Sequence, residues 1–224
     1  MQIMSVKGSA VTIRDDVEAE RALLADSLAA VGPQARTACG DWTAFDLAAH
    51  VVASDRAAGA FAYCIRVLAT RGVQFRPKPE AVKWAIRRER RDGYSALIRR
   101  LRQRSPRLLL APAVAASTLF EVWMHHDDLT MANDLAHETP DHLAEAIPFL
   151  VRYQASRLPI ARLIVRTTDN YEFAFGPNIG PNALMIAPAA DLVRWLAGRR
   201  PLTAPTIDAQ PAVTDQLRAF GGMI

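Results

Sequence analysis

Ser117 to Leu129 reads STLFEVWMHHDDL, an apolar helical stretch crossed by one polar stripe. Ser117, Glu121, His125 and Asp128 follow one another at steps of four, four and three, which puts them on one face of a helix. Leu119, Phe120, Val122, Trp123 and Met124 fill the remaining positions. A polar stripe inside such a helix is costly to bury unless something satisfies it. Glu121 and His125 sit one turn apart, with β-carbons about 6 Å from each other. They can close a bundle seam as a hydrogen-bonded pair, or converge on one metal ion as bundle sites do. His126 points roughly 100° away from His125 and is not expected to share that site.

Working outward, the first two-thirds of the chain reads as helices. Asp15 and Asp16 can cap a first helix carrying Leu24, Leu28 and Val31, which Gly32-Pro33 ends. A second is expected from Thr43 to about Thr70, followed by a loop with Pro77 and Pro79. Tyr94, Leu97, Ile98 and Leu101 give the spacing of a third. Pro112 suits the first turn of a fourth, running to about Asn133, and a connecting helix is expected near Asp141 to Ser156. Beyond Pro159 the texture changes. Ala161–Thr168 and Tyr171–Gly176 read as strands about an Asp169-Asn170 turn, and Ala183–Ala187 as a third. A short helix over Asp191–Leu196 stops at Gly198. The tail can add a strand and a last helix around Thr214–Phe220. The expected class is α+β, mainly α: a four-helix bundle over residues 1–157 and a small α+β domain over 158–224.

The start of the second helix, Asp41-Trp42-Thr43-Ala44-Phe45-Asp46-Leu47-Ala48-Ala49-His50, resembles a capping box, with Thr43 as N-cap and Asp46 at N3. Trp42 can pack on Leu47 as a hydrophobic staple. Capping accounts for those four residues and leaves His50 unexplained. Two imidazoles and one carboxylate make a known catalytic zinc set with a fourth position open. Nickel or iron suits the same donors. Asp128 can orient His125 or His50 from behind.

The chain has 224 residues, a net charge of +4 and three lysines, so almost all its positive charge is arginine. The arginines at 87, 88, 90, 91, 99, 100, 102 and 104 have no accompanying nucleic-acid motif and read as a solvated helix face. Two cysteines without CxxC spacing rule out a disulfide scaffold and fit a reducing cytoplasm. The longest apolar run, Leu108 to Phe120, is broken by Pro112 and too short to span a bilayer. Neither a nucleic-acid nor a membrane partner is expected, and a homodimer is left open.

Trp42-Thr43-x-x-Asp46-Leu47-x-x-His50 and Glu121-x-x-x-His125-x-x-Asp128-Leu129 resemble the two signatures of the actinobacterial mycothiol-dependent maleylpyruvate isomerase family, a branch of the DinB-like superfamily. Ala190-Asp191-Leu192-x-x-Trp195-Leu196-x-Gly198-Arg199 resembles that family's small second domain. The resemblance implies one divalent metal, zinc before nickel or iron, on His50, Glu121 and His125. It implies mycothiol as cosubstrate and a small electrophile as substrate. It makes Arg199 the match to the family's active-site arginine, with Arg200 beside it. Arg71 and Arg76 can also reach an anion, without a motif to single them out. The expected chemistry is thiol-assisted isomerisation or S-transfer. A metal-dependent hydrolase and a non-catalytic ligand-binding or regulatory bundle fit the same ligand set.

Overall fold

A computed structural model describes residues 11–69, 79–154, 162–177 and 182–220. The first helix, α1 (Ile13–Val31), begins one turn earlier than its acidic pair suggested. Thr12 is the N-cap and Asp15 the N3 partner of a reciprocal capping box. Asp16 is spent elsewhere, accepting from the backbone N–H of His142 at 3.0 Å. Gly32, at φ 83°, closes the helix.

The expected second helix is two. α2 (Ala44–Asp55) and α3 (Ala57–Ala69) break at Arg56, whose backbone is extended. Its guanidinium reaches Glu89 and Asp92. The bend brings Gly59 against the end of α2, where a β-carbon would lie 2.2 Å from the Ala53 carbonyl oxygen. Only glycine fits that approach. α4 (Pro79–Arg90) occupies the stretch read as the end of a loop, with Pro79 at its first position and Glu80 in its first turn. α5 (Tyr94–Leu101) and α6 (Ala115–Ala132) follow. Pro112 does not open α6; it sits in the turns before it, where the Val114 and Ala115 N–H groups bond the Ala111 carbonyl.

Leu24 and Leu28 of α1, Leu47 and Val51 of α2, Leu97 and Leu101 of α5, and Val122 and Leu129 of α6 share one buried core. These are the four expected bundle helices, with α4 packed along α2.

After a 3-10 turn (Leu143–Ala146) come α7 (Ile147–Gln154), β1 (Arg162–Thr167) and β2 (Glu172–Phe175). Asn170, at φ 71°, makes the turn between the strands. β3 (Asn182–Ala187), α8 (Ala189–Leu196), β4 (Thr206–Ala209) and α9 (Pro211–Phe220) complete the described chain. The sheet order is β2-β1-β3-β4, with β1 and β3 parallel and the outer pairs antiparallel. Under the sheet lies a second core. It joins Leu163, Val165 and Met185 to Trp195 and Leu196 of α8, to Ile147 and Leu150 of α7, and to Trp123 and Met124 of α6. That core draws on residues from both sides of the 157/158 boundary. α6 therefore faces two cores, and the polar stripe lies where they meet. No helix among the described residues is long and apolar enough to cross a membrane.

Candidate metal centre

Among the described residues, three groupings bring His, Cys, Asp or Glu ligand atoms within 4.8 Å of one another: His50–Glu121–His125, Cys39–His125–Asp128 and Glu20–His126–His137. The first contains the three residues expected from the sequence. α2 delivers His50 because the Thr43–Asp46 capping box sets where that helix starts: the Asp46 carboxylate accepts from the Thr43 N–H at 3.0 Å. α6 delivers Glu121 and His125 from successive turns.

His50 Nε2 and His125 Nε2 each stand 3.4 Å from Glu121 Oε1. Two ligands held about 2.0–2.1 Å from one tetrahedral ion stand roughly 3.3–3.4 Å apart. A direct charge-assisted hydrogen bond closes to about 2.7–2.9 Å. The spacing fits a shared ion, and equally a pair of long hydrogen bonds. The Glu20 grouping contrasts with it. There Glu20 Oε1 lies 2.6 Å from His126 Nδ1 and 2.8 Å from His137 Nε2, direct hydrogen bonds in a dry setting. His126 Nε2 meets Ser27 Oγ at 2.8 Å. His126 thus faces α1, away from His125, as its position on the helix required.

Burial opposes the charge on Glu121, but hydrogen bonds and proximity to His125 and His50 win and hold its carboxyl below the usual range. Burial likewise opposes the charge on His125, and its contacts with Cys39 and Glu121 overcome that and push it up to about 10. A cation arriving at this trio meets an ionised carboxylate and displaces a proton from His125, so its binding strengthens as pH rises.

The other expected residues fall as follows. Ser117 leaves the stripe: its hydroxyl donates to the Val114 carbonyl in its own helix at 2.7 Å. Asp128 stands 3.8 Å from His125 Nδ1, and Cys39 intervenes: its Sγ is 3.6 Å from that nitrogen and donates to Asp128 Oδ2 at 2.9 Å. Arg199 grips Asp128 with two parallel bonds, Nε to Oδ1 at 2.9 Å and Nη2 to Oδ2 at 3.0 Å. Those bonds, more than Cys39 beside it, raise the arginine's pKa against the effect of burial. A third of its side chain reaches solvent, and Arg200 is exposed. Arg71 and Arg76 lie outside the described residues.

Two features escaped sequence reading. Trp42 lays its ring 4.9 Å from that of His50 and 6.2 Å from that of His125, making one wall of the centre. Cys39 has no motif of its own. Its proximity to a capping box was the one available hint.

The Glu20 grouping carries a pH signature. Burial disfavours charge on His137, but bonds to Asp127 and Glu20 raise its pKa above the ordinary 6.5. Burial disfavours charge on Glu20, but bonds from His126 and His137 lower its pKa below the ordinary 4.5. The stabilisation from His137 is complete below pH 6.5 and is lost as pH rises through the raised value. That from Glu20 is complete above pH 4.5 and is lost as pH falls through the lowered value. Metal-free protein is expected to show its highest thermal midpoint between pH 4.5 and 6.5, with a decline on the alkaline side. His137→Gln should lessen that alkaline decline in a melting series, leaving the share that His125 carries.

Residues 15–118 match the family described as Mycothiol maleylpyruvate isomerase N-terminal domain. That span holds His50 and ends three residues before Glu121. A crystal structure of the mycothiol-dependent maleylpyruvate isomerase superposes with a TM-score of 0.55 at 18% identity, over 88% of this chain and 91% of that one. A histidine-to-alanine mutant of that enzyme gives 0.49 at 17% identity, over 84% and 88%. At that identity the first superposition speaks for the fold alone. No curated protein matches the chain. Residues 15–118 thus resemble the mycothiol maleylpyruvate isomerase N-terminal domain family, on a fold shared along most of the chain's length.

Proposed function

We propose that this protein is a metal-dependent enzyme that uses a low-molecular-weight thiol, mycothiol, in the isomerisation or S-transfer of a small electrophilic substrate. The observation that carries this reading is the pair of 3.4 Å separations from Glu121 Oε1 to His50 Nε2 and His125 Nε2. The family match supports mycothiol as the thiol and isomerisation as the reaction type.

His50, Glu121 and His125 would hold one divalent ion, zinc before nickel or iron, with a fourth position open. When bound, the ion supplies an electrophile that favours the thiolate form of an incoming thiol. Trp42 shields the imidazole side of the centre, and Asp128 fixes Arg199 at its edge. Neither bond to Asp128 uses Nη1 of Arg199, which leaves that edge of the guanidinium to meet a substrate carboxylate. The thiolate sulfur adds to one carbon of a cis double bond conjugated to a carbonyl, and the displaced electron pair moves to the carbonyl oxygen. The former double bond is then single and rotates. Return of the electrons expels the thiolate and leaves the trans alkene, so the thiol is regenerated.

Turnover of a cis-configured, carboxylate-bearing enone by zinc-reconstituted protein tests the reading. Isomerisation that needs added thiol, and that His50→Ala abolishes, is the expected result. Cleavage of a substrate bond by water, with no thiol needed, would make the protein a hydrolase. Wild-type protein that takes up no zinc, nickel or iron would remove the metal reading altogether.

A further inference from the structure

Cys39 takes no part in the chemistry above, yet it stands between two residues that do. Its sulfur lies 3.6 Å from His125 Nδ1 on one side and 2.9 Å from Asp128 Oδ2 on the other. Asp128 is almost fully buried and is clamped by both bonds from Arg199. The cysteine is itself placed by a tight local framework. Thr37 Oγ1 accepts from the Cys39 N–H at 3.2 Å and donates to the Trp42 carbonyl at 2.8 Å. The Ala38 N–H bonds the carbonyl of Asp128 on α6 at 2.8 Å. One turn of chain therefore fixes Cys39, Trp42 and α6 together.

We propose that Cys39 is a positioning residue, relaying the Asp128 carboxylate to the far side of the His125 ring. This rests on the metal reading of His50, Glu121 and His125. A histidine that gives one ring nitrogen to a metal carries its proton on the other, and a partner there fixes tautomer and orientation. In most such sites the partner is a carboxylate, carbonyl or water in direct contact. Here the carboxylate stands 3.8 Å off, beyond hydrogen-bond reach, and the thiol spans the gap. The thiol hydrogen points to Asp128, which leaves a sulfur lone pair to accept from Nδ1–H of His125. Nε2 then keeps its lone pair for the centre. The chain of contacts runs on to Arg199, so the residue facing the substrate and the residue holding the ion are linked through one sulfur.

The test is zinc affinity by chelator competition, on full-length wild type, Cys39→Ala, Cys39→Ser, Cys64→Ala and His125→Ala. Cys64 is the control, since its thiol lies in a different part of the chain against the Leu108 carbonyl. Loss of such an outer partner costs about 10- to 100-fold in metal affinity. Cys39→Ala should weaken zinc by that factor, Cys39→Ser should stay within about five-fold of wild type because a hydroxyl keeps both hydrogen bonds, and Cys64→Ala should not change. In zinc-loaded wild type the His125 Nδ1 proton should also appear by NMR as a slowly exchanging imidazole resonance, a readout that does not depend on any variant folding. Cys39→Ala binding as tightly as wild type while His125→Ala does not would overturn the relay and leave the metal site standing. Cys39→Ser falling as far as Cys39→Ala would overturn it too, leaving only a packing role. Zinc that binds equally well to His125→Ala would bring down the metal site, and the relay with it.

Discussion

Glu121→Ala is expected to lower zinc affinity by more than about 100-fold, the upper end of what losing a mere outer partner costs. Glu121 Oε1 is approached by both candidate ligand nitrogens, at 3.4 Å each. Without it two imidazoles remain, on different helices, with no anion between them. A divalent ion then loses its charged ligand as well as a third of its donors. Glu121→Gln separates these losses, because the amide oxygen keeps the shape and gives up the charge. Ser117→Ala is the matched control one turn earlier on α6, since its hydroxyl is satisfied by the Val114 carbonyl. Metal content by mass spectrometry, with far-ultraviolet circular dichroism to confirm folding, reads the outcome. Full metal in Glu121→Ala would mean that the stripe is structural.

Asp127→Ala should be strongly destabilising while leaving the centre's own residues untouched. Arg194 of α8 donates to Asp127 through Nε at 2.9 Å and Nη2 at 2.6 Å, and both side chains are buried. Removing the aspartate leaves a desolvated guanidinium with Asp191, at 3.1 Å, as its remaining carboxylate partner among the described residues. Breaking a buried pair in this way costs about 3–5 kcal/mol. For a chain of this size, at about 2–4 °C per kcal/mol, the melting midpoint should drop by roughly 6–20 °C. Arg194→Met combined with Asp127→Leu should recover part of the loss, since an apolar pair of similar volume often replaces a buried ion pair without penalty. Asp26→Ala breaks the exposed pair with Arg102 and should change stability by less than about 1 kcal/mol. A calorimetric midpoint for Asp127→Ala within 2–3 °C of wild type would show that this pair does not hold the C-terminal part in place.

The three candidate ligands were legible because each rests on a local rule. Helical periodicity put Glu121 and His125 on one stripe, and the capping box at Thr43 left His50 as the residue that capping could not explain. The two strands about Asp169-Asn170 were legible for the same reason, since turn chemistry is local. The break between α2 and α3 was not. Nothing in the apolar pattern of residues 44–69 interrupts the helix; the cause is tertiary, an arginine drawn to Glu89 and Asp92 on another segment. α4 was hidden by its own first residue, because a proline can close a helix as well as open one. Cys39 was out of reach for a simpler reason. Its meaning depends on a partner 86 positions away, and no periodicity connects the two.

The double-faced character of α6 bears on which lengths of chain can change. Successive residues of a helix point about 100° apart. Trp123 and Met124 serve the core beneath the sheet, Val122 and Leu129 the bundle core, and Glu121 and His125 the centre between them. One residue inserted between Glu121 and His125 would swing everything beyond it through that angle. His125 would leave Glu121, and Asp127 and Asp128 would turn away from their arginines. The eight residues from Glu121 to Asp128 are therefore a ruler of fixed length, in which replacement is negotiable position by position and insertion or deletion is not.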